Sequence, residues 1–158
     1  MEKLRIIEGD LQARGLRFTI VAARFNDSVV EHLINGAVDM LRSNGATHEQ
    51  LELVRVPGAF DLPVAVRRIA ESGRSDAIIA LGAVIRGETA HFDHVAGECA
   101  SGLSRVALDT GVPVAFGVLT TDTVEQAEDR AGGTEGNRGA DAAEAAIRLA
   151  SLLKKLGP

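Results

Sequence analysis

Residues 81–98 read LGAVIRGETAHFDHVAGE. Together with Ala77–Ala80 they begin as an apolar run, pass through a short turn at Gly87, and continue with helix-forming residues. A continuous apolar run bounded by polar residues fits a strand buried on both faces. The stretch therefore predicts a strand over Ala77–Ile85 and a helix over Thr89–Leu108. The start of a helix presents unpaired backbone N–H groups that attract anions. His91 falls in the first turn, within reach of whatever those groups hold. Its neutral imidazole can take up and return protons near pH 7. This is the layout of a site that holds a phosphorylated small molecule and moves protons on it.

The same alternation extends outward. Arg17–Arg24, RFTIVAAR, is a second buried strand. Ser28 and Glu31 have capping-box spacing, which predicts a helix start there. Val30, Leu33, Ile34, Ala37, Val38 and Leu41 repeat at helical period until Asn44-Gly45 ends it. Leu51–Val56 alternates as a strand, Pro57-Gly58 breaks it, and Ala59–Glu71 reads as a helix with Pro63 near its start. Val112–Leu119 is a fourth strand, ending at Thr120-Thr121. Thr123 and Gln126 form another capping box, opening a short helix to about Ala131. Gly132–Gly139, GGTEGNRG, is a kink before a last helix over Ala140–Lys155. Leu4–Glu8 is a candidate further strand. Strands alternating with helices predict an α/β chain: a three-layer α/β/α sandwich around a central parallel sheet. Ligands of such folds bind at the carboxyl ends of the strands. That places Phe25-Asn26, Pro57-Gly58-Ala59, Ile85-Arg86-Gly87 and Thr120-Thr121 on one edge.

The chain has 158 residues, 46% of them hydrophobic, which suits one domain over 1–158 with a sizeable core. The net charge is −5 with no basic block, which argues against a nucleic-acid partner. Cys99 is the single cysteine, so no intrachain disulfide is available and a reducing compartment is expected. Its plainest role is that of a small apolar residue. The first ten residues, MEKLRIIEGD, are charged where a secretory signal carries apolar residues. No apolar run has membrane-spanning length. The cytoplasm is the expected location, without a membrane partner. Tryptophan and tyrosine are absent, so stacking on a ring would fall to the five phenylalanines, Phe18, Phe25, Phe60, Phe92 and Phe116.

Several motifs carry chemistry, each with a plainer alternative. Gly82–Thr89, GAVIRGET, has the glycine spacing of a nucleotide phosphate loop, but Glu88 stands where that loop needs lysine. Nucleotide hydrolysis is therefore disfavoured, while a phosphate monoester on the helix amides stays open; a plain strand-to-helix turn would look the same. His91, His94 and Glu98 could share a helical face at metal-site spacing, without any further ligand cluster. Arg130 is either a solvated surface arginine or a bidentate phosphate clamp.

Taken in order, RFN at 24–26, VPGAFDLP at 56–63, LGAVIRGETAHFDHVAGE at 81–98, GVPVAFGVLTTDTVEQAEDRAG at 111–132 and GNRG at 136–139 resemble the lumazine synthases. The resemblance runs from about Gly15 to Leu156. It implies a flavodoxin-like fold and the condensation of 5-amino-6-(D-ribitylamino)uracil with 3,4-dihydroxy-2-butanone 4-phosphate to 6,7-dimethyl-8-ribityllumazine. Phosphate and water are released in this penultimate step of riboflavin biosynthesis. It implies no cofactor and no metal. It also implies that Phe25 stacks on the pyrimidine, that Asn26 and Ala59, Phe60 and Asp61 meet the ribityl chain, and that Ala83, Val84 and Ile85 line the ring. Glu88 and Thr89 would present amides to the phosphate, with His91 as proton shuttle. Arg130 would clamp the phosphate and Phe116 close the pocket, both from a neighbouring subunit.

Two positions depart from the common family pattern. Asp61 stands where many relatives have glutamate, so its ribityl contact is expected to need a water. Arg138 stands where many have lysine, which puts its contact to the pyrimidine carbonyl in question. The family forms pentamers, and many members pack twelve of them into a hollow icosahedral shell. The kink before the last helix carries no insertion, which predicts the shell. The first fourteen residues would form an arm whose strand is shared with a neighbour, and riboflavin synthase is a candidate partner. Two rival readings remain: a metal-assisted hydrolase on His91, His94 and Glu98, and a shell protein that binds lumazines or flavins without catalysis.

Overall fold

The computed structural model describes residues 3–158. Its elements are β1 (Phe18–Ala23), α1 (Asp27–Ser43), β2 (Leu51–Val56), α2 (Leu62–Glu71), β3 (Ala77–Ile85), α3 (His91–Thr110), β4 (Val114–Thr121), α4 (Val124–Asp129), β5 (Ala131–Gly133), β6 (Gly136–Asn137) and α5 (Arg138–Leu156). The main sheet is wholly parallel in the order β2-β1-β3-β4. The two continuous apolar runs supply its central strands: every β1 residue is buried, as is all of β3 except half-buried Ile85. The alternating Leu51–Val56 becomes the edge strand β2, with Leu53 exposed.

Successive strand residues point to opposite faces, so Ile78 and Ile79 serve two different cores. Ile79 joins Phe18, Ile20, Leu33, Leu41 and Ile147 under α1 and α5. Ile78 joins Val21, Leu62, Val66, Leu103 and Val106 under α2 and α3. Burying each such side chain stabilises the fold by about 1.5–3 kcal/mol before chain entropy is counted. Helices on both faces of a 2-1-3-4 parallel sheet make a flavodoxin-like α/β/α sandwich. Cys99 lies fully buried in the second core, and burial pushes its thiol up to about 11, so it packs as a small apolar group. No helix of the described residues is long and apolar enough to cross a membrane.

Several local expectations shift. Ser28 does not cap α1: the helix starts at Asp27, and the cap position is Asn26 in the left-handed conformation, φ 64°. The chain must turn sharply from β1 into α1, and asparagine is among the few residues that tolerate that backbone shape. The Ala59–Glu71 helix is divided. Ala59–Asp61 makes a 3₁₀ turn, and α2 begins at Leu62. Pro63 requires this, since deeper in a helix its ring would meet the carbonyl of residue 59.

The helix expected from Thr89 starts two residues later, at His91. The kink at 132–139 is an antiparallel β5–β6 hairpin, with Gly132 and Gly136 at positive φ. It runs straight into α5, whose first amides, at Gly139 and Ala140, donate to Asn137 Oδ1 at 2.8 and 3.0 Å. The Thr123–Gln126 capping box forms as expected.

Leu4–Glu8 forms no strand within the chain. The arm lies against the end of α5 instead. Lys155 Nζ donates to the Glu8 carbonyl at 2.8 Å, and the Asp10 N–H donates to Ser151 Oγ at 3.1 Å. The Ser151 hydroxyl, then Lys155, hold the Asp10 carboxyl below its ordinary range. Met1 and Glu2, the start of the expected arm, lie outside the described residues.

Candidate active site

The carboxyl ends of β1, β2 and β3 open into a cavity of 760 Å³. Its wall includes Phe25 and Asn26 after β1, Pro57–Asp61 after β2, Ala83–Ile85, Gly87 and Thr89 around the end of β3, and His91, Phe92, His94 and Val95 on α3. Beyond β1 the backbone stays paired: Arg24 N–H donates to the Val56 carbonyl at 2.8 Å, and Phe25 N–H to the Pro57 carbonyl at 3.0 Å. This pairing holds Phe25 at the rim with 70% of its surface exposed. Phe60, also at the rim, is 61% exposed. Large apolar rings rarely stay bare without a ligand or partner to cover them.

The polar groups are partly committed. Asn26 Nδ2 donates to the Ala83 carbonyl at 2.8 Å, so the residue expected to meet a ribityl chain also ties β1 to β3. Asp61 Oδ2 accepts the Gly58 N–H at 2.9 Å and closes its own turn. His91 is the first residue of α3, and its N–H makes a long contact of 3.4 Å to Thr89 Oγ1. Among the described residues the N–H groups of Glu88, Thr89 and Ala90 donate to no protein acceptor. Glu88 is exposed and does not line the cavity, whereas its neighbours Gly87 and Thr89 do. What this loop offers an anion is therefore backbone, together with the helix start.

Among the described residues no arginine or lysine lines this cavity. Arg86, next to the loop, is already engaged. Its Nε donates to Asp122 Oδ1 at 2.9 Å, its Nη1 lies 3.6 Å from Asp93 Oδ1, and its guanidinium sits 4.4 Å from the centre of the Phe92 ring.

The cations are elsewhere. Phe116, Arg130 and Arg138 line a separate recess of 310 Å³ with Gly117–Thr121. The hairpin brings the two arginines together, since the Arg138 N–H donates to the Arg130 carbonyl at 2.9 Å. Arg130 Nη1 is braced on the Gln126 carbonyl at 3.0 Å, and its Nη2 lies 4.0 Å from Glu135 Oε1. The Arg138 Nη1 pairs with Asp141 Oδ2 at 3.2 Å. Thr120 and Thr121 do lie on the expected carboxyl edge, in register with Val84 and Ile85, but they open into a different recess. The reason is that β4 is an edge strand whose outer side faces away from the first cavity. Within one chain the candidate residues form two incomplete groups. One has stacking, amides and a histidine but no cation, and the other has a ring and two arginines.

Pro57, Gly58 and Gly87 line the first cavity as their place on the ligand edge predicts, and so does Phe92, one of the rings open to stacking; His94 and Val95 line it too, without a substrate contact expected of either. For His94 the signal was present, because a residue three beyond His91 shares its helical face. Among the described residues no three histidine, cysteine or carboxylate side chains gather as a metal site, so His91, His94 and Glu98 do not form one.

The family model described as 6,7-dimethyl-8-ribityllumazine synthase matches residues 15–154. The 6,7-dimethyl-8-ribityllumazine synthase of Nitratidesulfovibrio vulgaris (strain DSM 19637 / Miyazaki F) is 51% identical over 156 residues, covering 99% of this chain and 100% of its own length. That of Halorhodospira halophila (strain DSM 244 / SL1) is 53% identical over 154 residues, covering 97% of this chain and 99% of its own. The match spans the residues that line both recesses and the β5–β6 hairpin, and the chain belongs to the 6,7-dimethyl-8-ribityllumazine synthase family.

Proposed function

We propose that this chain performs its family's reaction in a pocket completed by two copies, one giving the Phe25–His91 cavity and the other the Phe116–Arg130 recess. The reaction itself is the condensation of 5-amino-6-(D-ribitylamino)uracil with 3,4-dihydroxy-2-butanone 4-phosphate to the lumazine, a transferase activity. The observation that carries the shared pocket is the missing cation. A dianionic phosphate on the Thr89 loop would meet amides but no positive side chain of the same chain, while Arg130 stands in a recess apart. A head-to-tail contact repeated around a ring joins such unlike halves.

In this reading Phe25 stacks on the pyrimidine, and Ala59, Phe60 and Asp61 border the ribityl chain beside Asn26. Ala83, Val84 and Ile85 flank the ring. The amides of Glu88 and Thr89 face the phosphate, and Arg130 neutralises it. Phe116 covers the ring from the neighbour, and Arg138 lies beside it. The amine of the pyrimidine attacks the ketone to form an imine with loss of water, phosphate is eliminated, and the second amine adds to the remaining carbonyl carbon, from which a second water departs as the ring closes. Both reactants are intrinsically reactive, so holding them together supplies most of the acceleration. His91 carries protons between these steps and contributes about 10²-fold or less. His91→Ala is therefore expected to keep measurable turnover at saturating substrates. A dead variant in steady-state kinetics would show that proton transfer, not proximity, dominates.

Complementation tests the shared pocket. Arg130→Ala and Phe25→Ala chains, each nearly inactive alone at ketone concentrations near the wild-type KM, are unfolded together, reassembled and assayed at those concentrations. Random mixing in a ring restores about a quarter of wild-type activity, because that share of junctions pairs two intact halves. No recovery would mean that each pocket is built within one chain. The same preparations, read by light scattering, report the assembly. We favour a shell of twelve pentamers over the free pentamer, because the hairpin at 131–137 is short. We also place the Leu4–Glu8 arm on a neighbour's sheet, since Leu4 and Ile6 are exposed and, among the described residues, no strand lies on the outer side of β2. The single buried cysteine supports a cytoplasmic location.

A further inference from the structure

We propose that Arg86 is a positioning residue that fixes the start of α3 against the end of β4, and does not itself bind phosphate. The inference rests on the site reading above. Arg86 stands one residue beyond β3, and its N–H extends the β3–β4 ladder by donating to the Thr121 carbonyl at 2.8 Å. Its side chain then spans the gap that the Gly87–Ala90 loop must cross. On one side it holds Asp122, just past β4, at 2.9 Å. On the other it meets Asp93 at 3.6 Å and lies over Phe92 at 4.4 Å. Phe92 and Asp93 directly follow His91, so the same side chain sets the first turn that carries the histidine and ends the anion loop.

Asp122 is a fixed anchor, because its own N–H donates to Gln126 Oε1 at 2.8 Å within the cap of α4. The guanidinium faces two carboxylates and the negative face of a ring. Swinging it onto a phosphate would leave Asp93 and Asp122 uncompensated beside a dianion. Each ion pair is roughly half exposed and adds little stability by itself. Their value is geometric: a planar fork can donate along its edge while its face stacks, which a lysine ammonium cannot do. Misplacing a reacting group by about 1 Å can cost up to 10²-fold in rate.

The test uses Arg86→Met, Arg86→Lys and Asp122→Asn in the assembled enzyme. Steady-state kinetics with both substrates are combined with inhibition by inorganic phosphate as the probe of the anion site. Arg86→Met is expected to lower kcat about tenfold while the phosphate inhibition constant stays within about twofold. Asp122→Asn, which keeps the arginine but weakens its anchor, is expected to lower kcat in the same direction. Arg86→Lys is expected not to restore it. The proposal is overturned if Arg86→Met weakens phosphate inhibition about tenfold with kcat preserved and lysine rescues it. It is overturned equally if Asp122→Asn leaves kcat unchanged. Should Arg86→Met fail to assemble, the other two variants decide. Failure of the two-copy pocket would appear separately, as absent complementation with wild-type Arg86 in every chain.

Discussion

The Arg130→Ala enzyme is expected to need about a hundredfold more of the phosphorylated ketone to reach half its maximal rate. The reasoning starts from charge. Among the described residues the Phe25–His91 cavity has no lysine or arginine in its wall, and the nearby Arg86 is paired with Asp93 and Asp122. Removing Arg130 would leave a dianion facing backbone amides alone. Truncating one partner of a desolvated, hydrogen-bonded charge pair costs about 2–5 kcal/mol, and a hundredfold lies near the lower part of that range. The effect is expected mainly in KM for the phosphorylated substrate, with KM for the pyrimidine little changed, because the proposed pocket holds the two in different parts. Initial-rate measurements with each substrate varied in turn would check it. An unchanged KM for the ketone would mean that the arginine recess does not face the anion.

Gly139→Ala is expected to cost about 3 kcal/mol and to lower the melting temperature by roughly 6–12 °C. Gly139 lies in the first turn of α5, where that helix crosses α1. A Cβ there would overlap the Leu33 carbonyl group. The neighbouring contacts leave no slack, since Asn137 Nδ2 donates to the His32 carbonyl at 3.0 Å while its Oδ1 caps α5. Backbone atoms cannot rotate aside as a side chain can, so the two helices must separate and open the core that holds Leu33 and Ile147. The displacement would also move Arg138, which is adjacent in sequence and bonded through its backbone to Arg130. Lost activity should therefore accompany lost stability. Thermal unfolding of the assembled protein measures the effect, and an unaltered melting temperature would show that this crossing yields easily.

The central strands were legible because burial on both faces leaves an unbroken apolar run, as in Phe18–Ala23 and Ala77–Ile85. The Thr123 cap was legible because its spacing encodes two reciprocal hydrogen bonds. Asn26 was not: a left-handed backbone leaves no periodic trace, and the Ser28–Glu31 spacing imitates a cap that does not form. The β5–β6 hairpin escaped because strands of two or three residues are too short to show alternation. At the site, the Phe25–His91 group could be read from its position after successive strands. The separate place of Phe116 and Arg130 could not, because sequence does not show which way the outer side of an edge strand faces. Only the family resemblance assigned those two residues to a neighbour.

Lys154 reaches Asp76, which also holds Arg17, so the tail of α5 sits beneath the amino ends of β1 and β3, and Lys155 grips Glu8 beside it. The opening and closing segments of the fold are thus neighbours on the side opposite the ligand edge. A circular permutant that omits the arm, joins the end of α5 to Asp10 through a short glycine linker and is cut at Ser72-Gly73 would keep the β2-β1-β3-β4 order of the sheet. Such rewiring would give the fold new ends for tags on the face away from the Phe25–His91 cavity.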